Sequence, residues 1–320
     1  MPIRLPNGLP AQHELRSELV NFIGERNFAM PYGPTLQIAL LNLMPCKPIT
    51  ETQIARLVGG TPYPVELTLF VPDGYSPKTT SGTHMASFYR RWSDIQSRHF
   101  DALIVTGAPV ETLPFEDVAY WRELTEIFDW AECHTRRGYY ICWAAQAALY
   151  HFYGVDKTAL PKKQFGVFEH EVVDQAHPLF AGVRSPFAVP VSRHTEVRPE
   201  DLPVGADISI LATSAEAGLC LLEDTPRGIV LMFNHLEYDA DTLRNEYVRD
   251  VTANRPIDLP QNYFPDDDPT RMPTNRWRGT AKRVFENWLA ELWDTIGEET
   301  CCIRSADGAG YEALRCEASA

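Results

Sequence analysis

The chain has 320 residues, of which 44% are apolar and 22% charged, a balance that suits one large globular α/β domain or two modest ones. Its net charge of −14 argues against nucleic-acid or anionic-membrane binding, both of which want basic surfaces. An anionic small substrate then needs a local basic patch.

The first residues carry no apolar signal segment, and no apolar run approaches the roughly 20 residues of a membrane span. Seven cysteines (Cys46, Cys133, Cys142, Cys220, Cys301, Cys302 and Cys316) form no C-x-x-C pair and no His/Cys spacing for zinc. The expectation is a cytoplasmic, reducing location without a metal.

In chain order, residues 1–35 form a lead-in with one helix over about 12–24. Residues 36–44 are a near-continuous apolar run stopped by Pro45, as in a buried parallel strand. Thr50 and Thr52 offer caps for a helix to about Val58. Residues 65–71 alternate as a second strand, 72–84 are loop, and 88–96 are helical. Residues 100–106 make a third buried strand ending at Gly107-Ala108-Pro109, and 115–131 carry apolar residues at helical spacing. Strand–helix alternation predicts a mostly parallel sheet covered by helices. Beyond residue 154 the runs 166–173, 208–213 and 218–222 alternate instead, so antiparallel additions are expected. A buried strand over 228–233 ends at Asn234-His235. Asp239 or Asp241 then caps a helix to about Val251, 254–273 is an exposed Pro/Asp-rich loop, and 277–293 is an amphipathic helix. No internal boundary is evident, so 1–296 is expected to be one α/β domain and 297–320 a poorly ordered tail.

Chemistry concentrates at Cys142. Tyr139, Tyr140 and Ile141 are strand formers, and Ala144 to Tyr150 is a helix run. Cys142 therefore falls at a strand-to-helix turn, the geometry that holds a nucleophile out toward substrate. Free N–H groups of the helix start, from Trp143 on, face the sulfur. A thiol nucleophile needs a base and the base an orienter. His235 follows a buried strand, and Glu237 shares its face in extended chain. The loop at Gly107 and Ala108 can supply backbone donors to an oxyanion. Dinucleotide and P-loop glycine patterns are absent.

Several stretches together resemble the homoserine O-acyltransferase family, comprising homoserine O-succinyltransferases and acetyl-using relatives. They are residues 41–45 (LNLMP), 105–109 (VTGAP), 117–121 (DVAYW), Cys142-Trp143-Ala144, 146–149 (QAAL), His235-x-Glu237-Tyr238-Asp239 and 262–265 (NYFP). The resemblance covers residues 1–293 and implies a fold similar to class I glutamine amidotransferases, flavodoxin-like in its sheet. It implies that Cys142 carries an acyl group from acyl-CoA as a thioester. His235, oriented by Glu237, would then activate the acceptor hydroxyl in a ping-pong reaction feeding methionine biosynthesis. By the same likeness Lys163, Ser192 and Arg249 match positions that contact the amino-acid substrate, Arg249 pairing with its carboxylate.

Position 111 separates acyl donors in the family. Glu111 resembles the acetyl users, where succinyl users have Gly. A carboxylate there repels the free carboxylate of a succinyl group, so acetyl-CoA is expected as co-substrate, with no bound cofactor. The chain departs from the family at Asn234-His235-Leu236-Glu237, where Gly-His-Pro-Glu is usual, and at Cys46-Lys47, where two lysines are usual. L-serine as acceptor, succinyl-CoA as donor, a glutaminase-type amidotransferase and a non-catalytic sensor stay open alternatives. A homodimer is expected.

Overall fold

The computed structural model describes residues 3–24, 34–77 and 79–306, with the side chains of 297–306 outside that description. In chain order the elements are β1 (Ile3–Leu5), α1 (Ala11–Ser17), β2 (Phe22–Gly24), β3 (Leu36–Leu41), α2 (Lys47–Gly59) and β4 (Val65–Val71). Next come α3 (Gly82–Phe88), β5 (Arg90–Arg91), α4 (Trp92–Ile95), β6 (Ala102–Val105), α5 (Trp121–His134), β7 (Arg137–Ile141) and α6 (Trp143–Tyr153). The rest are β8 (Thr158–Val172), β9 (Phe187–Glu196), β10 (Ile208–Ser214), β11 (Gly218–Asp224), β12 (Ile229–Met232), α7 (Thr242–Thr252) and α8 (Arg278–Ala306).

One sheet runs in the order β2-β1-β4-β3-β6-β7-β12-β11-β10-β8-β9, with β5 pairing β4. Pairings from β2 through to β12 are parallel. From β12 outward through β11, β10, β8 and β9 they are antiparallel. This is the parallel sheet with antiparallel additions that the sequence predicts. The central strands are apolar on both faces because helices cover both. Ile38 and Leu40 of β3 pack with α2 and α8, whereas Ala39 and Leu41 pack with α5 and α6. In β7, Tyr139 and Ile141 face the first cluster and Tyr140 the second.

Local expectations differ from the structure where tertiary contacts take over. The helix expected over 12–24 splits into α1 and the short strand β2. Helix α2 starts at Lys47, before the expected Thr caps, with Pro48 in its first turn, where a missing N–H costs nothing. Thr52 instead donates to the Pro48 carbonyl at 2.9 Å. The helix expected over 88–96 is α3, a two-residue strand and α4. Residues 115–117 form a separate 3-10 turn before α5. Strand β9 has no forecast, because Pro190 in its middle reads as a breaker. Pro190 is tolerated because β9 ends the sheet, where one side needs no ladder partner. Asp241 stands at the N-cap of α7 as expected, but without a side-chain capping bond. Asp239 binds Arg56 and Arg278. The tail expected from residue 297 begins inside α8. Residues 307–320, Cys316 and the side chains of Cys301 and Cys302 lie outside the described residues.

The Pro/Asp-rich loop over 254–273 is also more anchored than expected. Tyr263 and Phe264 are buried in the core, and Gln261 bonds the β8 backbone on both sides, to Phe165 O and from Val167 N, at 2.9 Å each. The contact needs Gly166, whose φ is +152°. A Cβ there would meet the backbone oxygen of Gln261 and, at 2.7 Å, its nitrogen. Gly166→Ala is expected to destabilise the fold by about 2–3 kcal/mol, since the obstacle is backbone that must move. Denaturant titration measures this; a loss below about 0.5 kcal/mol would show that the loop is free to shift.

Candidate functional site

Three loops converge at the carboxyl ends of neighbouring strands β6, β7 and β12, the edge where open α/β sheets bind ligands. Cys142 follows β7 and sits at φ 54°, ψ −115°. A non-glycine residue held there is strained by on the order of 1–3 kcal/mol and persists only if its surroundings dictate it. They do so in two ways. The Cys142 N–H donates to Met232 O of β12 at 2.6 Å, and its carbonyl accepts from Ala145 and Gln146, opening α6. Gly107, after β6, approaches so closely that a Cβ there would lie 3.2 Å from Cys142 Cβ.

His235 and Glu237 follow β12. Glu237 Oε1 binds His235 Nδ1 at 2.7 Å, and both side chains are buried. That leaves Nε2 for Cys142, whose sulfur interacts with the imidazole. Burial disfavours the imidazolium, but the Glu237 carboxylate and the Cys142 sulfur outweigh it and raise the His235 pKa well above 6.5. Tyr238 stacks under the imidazole, with ring centroids 4.1 Å apart. The indole N–H of Trp277 donates to the Tyr238 carbonyl at 2.7 Å. The His235 imidazole is thus fixed from the carboxylate, the ring face and the backbone.

A cleft of about 460 Å³ opens over this group. Gly107, Ala108, Glu111, Cys142, Lys163, Ser192, His194, His235 and Arg249 all line it. The structure therefore brings Lys163 of β8, Ser192 of β9, Arg249 of α7 and Glu111 into one place with Cys142 and His235. Glu237 stands behind His235, and the Trp143 indole is buried in the core. Arg249 makes a two-pronged pair with Asp250, both bonds 2.8 Å.

Glu246 escapes sequence reading, yet it is the hub of the cleft. It accepts from Ser192 Oγ at 2.6 Å, Lys163 Nζ at 3.0 Å and the Tyr238 hydroxyl at 3.1 Å. Burial pushes its pKa up, but the Lys163 charge and the Ser192 hydroxyl win and hold it below the ordinary carboxylate value. A usable signal exists, because Glu246 lies three residues before Arg249 on α7 and shares its helix face. At the departure Cys46-Lys47, Cys46 is exposed at the surface. Lys47 is buried and donates to the Asn42 and Met44 carbonyls at 2.6 and 3.2 Å.

The model of the family described as homoserine O-succinyltransferase matches residues 2–296. The chain belongs to that family. It is 48% identical over 295 residues to a homoserine O-acetyltransferase of Hyphomonas neptunium, covering 92% of this chain and 97% of that one. It is 50% identical over 295 residues to a homoserine O-acetyltransferase of Novosphingobium aromaticivorans, with the same coverage. Among solved structures, a glutamine amidotransferase of Thermotoga maritima superposes with a TM-score of 0.50 at 13% identity, covering 81% of this chain and 99% of that one. At that identity the likeness concerns the fold, which is the one the sequence resemblance implies. Among the described residues no helix is long and apolar enough to cross a membrane.

The raised His235 pKa has a consequence for stability. The folded imidazole keeps a proton that the unfolded one releases near pH 6.5. The stability from this pair is fully present below that pH and is lost as pH rises through the higher folded value. Glu237→Gln should therefore be less stable than the parent by about 3 kcal/mol near pH 6, with a gap that shrinks as pH rises. Urea titrations over a pH series measure it, and a pH-independent gap would show that His235 does not carry the proton.

Proposed function

We propose that the chain transfers an acetyl group from acetyl-CoA to the hydroxyl of L-homoserine through a thioester on Cys142. What carries this reading is the single cleft lined at once by Cys142 and His235, by the Lys163–Ser192–Glu246–Arg249 cluster and by Glu111. The family and the names of its similar members support it. We take residues 1–296 as one acyltransferase unit, which the continuous sheet and the extent of the family match favour.

In the first half-reaction the Cys142 thiolate attacks the thioester carbonyl, forming an acyl–sulfur bond. The bond to CoA sulfur breaks, and the departing thiolate takes the proton of the His235 imidazolium. In the second half the neutral Nε2 removes the acceptor's hydroxyl proton as its oxygen attacks the acyl carbon, and Cys142 thiolate leaves. The proton returns to His235 and the resting pair is restored. The first half exchanges one thioester for another and is nearly isoenergetic, the second converts the thioester to an oxygen ester, and each half moves one proton. Backbone N–H groups of Trp143 and of Gly107 or Ala108 are the donors for the tetrahedral oxyanion. Glu237 holds Nδ1, which keeps Nε2 aimed at the sulfur.

The acceptor is an amino acid, and the cluster offers both signs of charge it needs. Glu246 takes the ammonium and Arg249 the carboxylate. The donor follows from Glu111. At about 5 Å and an effective dielectric of about 20, its repulsion of a succinyl carboxylate is about 3 kcal/mol before screening, or roughly a hundredfold in rate.

A donor-by-acceptor matrix tests all of this: acetyl-CoA and succinyl-CoA against homoserine and serine, followed by free-thiol release. Homoserine with acetyl-CoA should be fastest, although a one-methylene difference limits discrimination against serine to about 1–3 kcal/mol. Intact-protein mass spectrometry after acetyl-CoA alone should show one acetyl group, absent in Cys142→Ser. Absence of CoA release in every combination, with ammonia released from glutamine instead, would replace the acyltransferase reading by a glutaminase one. Glu111→Gly should raise succinyl-CoA turnover relative to acetyl-CoA by up to about a hundredfold; an unchanged ratio would remove Glu111 from donor selection.

A further inference from the structure

Beneath the base lies a buried polar chain that the proposed reaction does not use. Arg193 of β9 is only 3% exposed, and Asn234 and His170 are fully buried. Arg193 donates to the carbonyls of Ala217 and Leu219 and, at 2.8 Å, to Asn234 Oδ1. Asn234 Nδ2 lies 3.0 Å from His170 Nε2, and His170 Nδ1 lies 2.9 Å from Phe168 O. Among the described residues no carboxylate forms an ion pair with this guanidinium. A buried cation held only by carbonyls and an amide costs several kcal/mol in desolvation, so it calls for a reason.

The polarity of the whole chain follows from Arg193, which can only donate. Asn234 must turn its oxygen toward the guanidinium, so its NH2 faces His170. His170 Nε2 must then accept, which puts the ring proton on Nδ1 facing Phe168 O. The imidazole is thereby held neutral, and burial, helped by the Arg193 charge, lowers its pKa to about 4. The charged or titratable groups around the chain are Arg193 and Glu196 of β9, Cys220 of β11 and Cys142 after β7. Burial pushes the Cys220 thiol up to about 12, so it stays protonated.

Asn234 immediately precedes His235, and every link of this segment is pinned to a different strand. Met232 O takes the Cys142 N–H, Phe233 N bonds Cys220 O at 2.8 Å, and His235 N bonds Pro190 O at 3.0 Å. Pro190 and Arg193 both belong to β9, as does Ser192 in the cleft. One strand therefore grips the backbone of the base, the side chain before it and a substrate-facing hydroxyl. We propose that Asn234, clamped between Arg193 and neutral His170, is a positioning residue that fixes the direction in which His235 faces Cys142. This deepens the reading of Cys142, His235 and Glu237 as the reacting groups and rests on it.

The test combines kinetics with imidazole NMR on the full chain. In the parent, 15N-labelled His170 should show the neutral Nδ1–H tautomer at neutral pH. A doubly protonated ring, or a proton on Nε2, would overturn the proposal without any variant. Asn234→Ala should lower kcat at least tenfold while KM for acetyl-CoA and homoserine stays within about twofold, because the cleft residues keep their own partners. Asn234→Asp keeps the Arg193 bond but can satisfy His170 only if Nε2 gains a proton. His170 should then titrate above about 6, and kcat should recover part of the loss. A kcat in Asn234→Ala within twofold of the parent, or an aspartate variant no better than alanine, would leave Asn234 as packing only. Parent protein that releases no CoA from any thioester would defeat the acyltransferase reading, while the His170 spectrum would still report on the clamp.

Discussion

The site depends on one backbone conformation, the positive φ of Cys142. A positive-φ L-residue at the end of a strand turns the chain abruptly into α6 and leaves Cys142 half-buried at the turn. Such strain survives only where neighbours over-determine it. Here β12 captures the Cys142 N–H, α6 begins on its carbonyl, and Gly107 of the next loop presses against its Cβ. The same contact with β12 places the segment carrying His235 beside the sulfur. Positioning Cys142 and positioning His235 are therefore one event of sheet formation.

Around that event the molecule divides its labour along the sheet. The parallel half, buried between helices on both faces, supplies Cys142, Gly107 and the start of α6. The antiparallel extension supplies Lys163 from β8 and Ser192 from β9, together with the buried Arg193 and His170. Helix α7 closes the arrangement with Glu246 and Arg249. The cluster satisfies its own charges, since Glu246 binds Lys163 and Ser192 while Arg249 binds Asp250. On the proposed reading, an incoming amino acid would exchange these bonds for its own rather than meet unpaired groups. That keeps the cleft stable and makes its net binding energy modest.

Much of this was legible in the sequence for physical reasons. Residues 36–41 and 102–105 are apolar on both faces, which only a covered parallel strand tolerates. The strand-to-helix change at Cys142 and the two-residue spacing of His235 and Glu237 likewise require no tertiary knowledge. The parts that escaped depend on contacts between distant segments. Strand β9 hides behind Pro190, which is acceptable only because β9 is terminal in the sheet. Glu246 looks like any solvated helix residue until β8 and β9 bring Lys163 and Ser192 to it. Asn234, flagged only as a departure from Gly, gains meaning once Arg193 and His170 flank it. The loop around Gln261 looked free because its anchor is backbone pairing enabled by Gly166, which leaves no side-chain pattern.

Glu111 stands apart from all these dependencies. It lies on the loop after β6 and shares no hydrogen bond with Cys142, His235, Glu237 or Glu246 among the described residues. Residues bound into a common network resist change because each substitution strands a partner. Glu111 lies outside that network, its charge acting on Lys157 instead. If Glu111 selects the acyl donor, as proposed, that preference can change by a single substitution while Cys142, His235 and Glu237 stay untouched, which makes the donated group more evolvable than the chemistry that moves it.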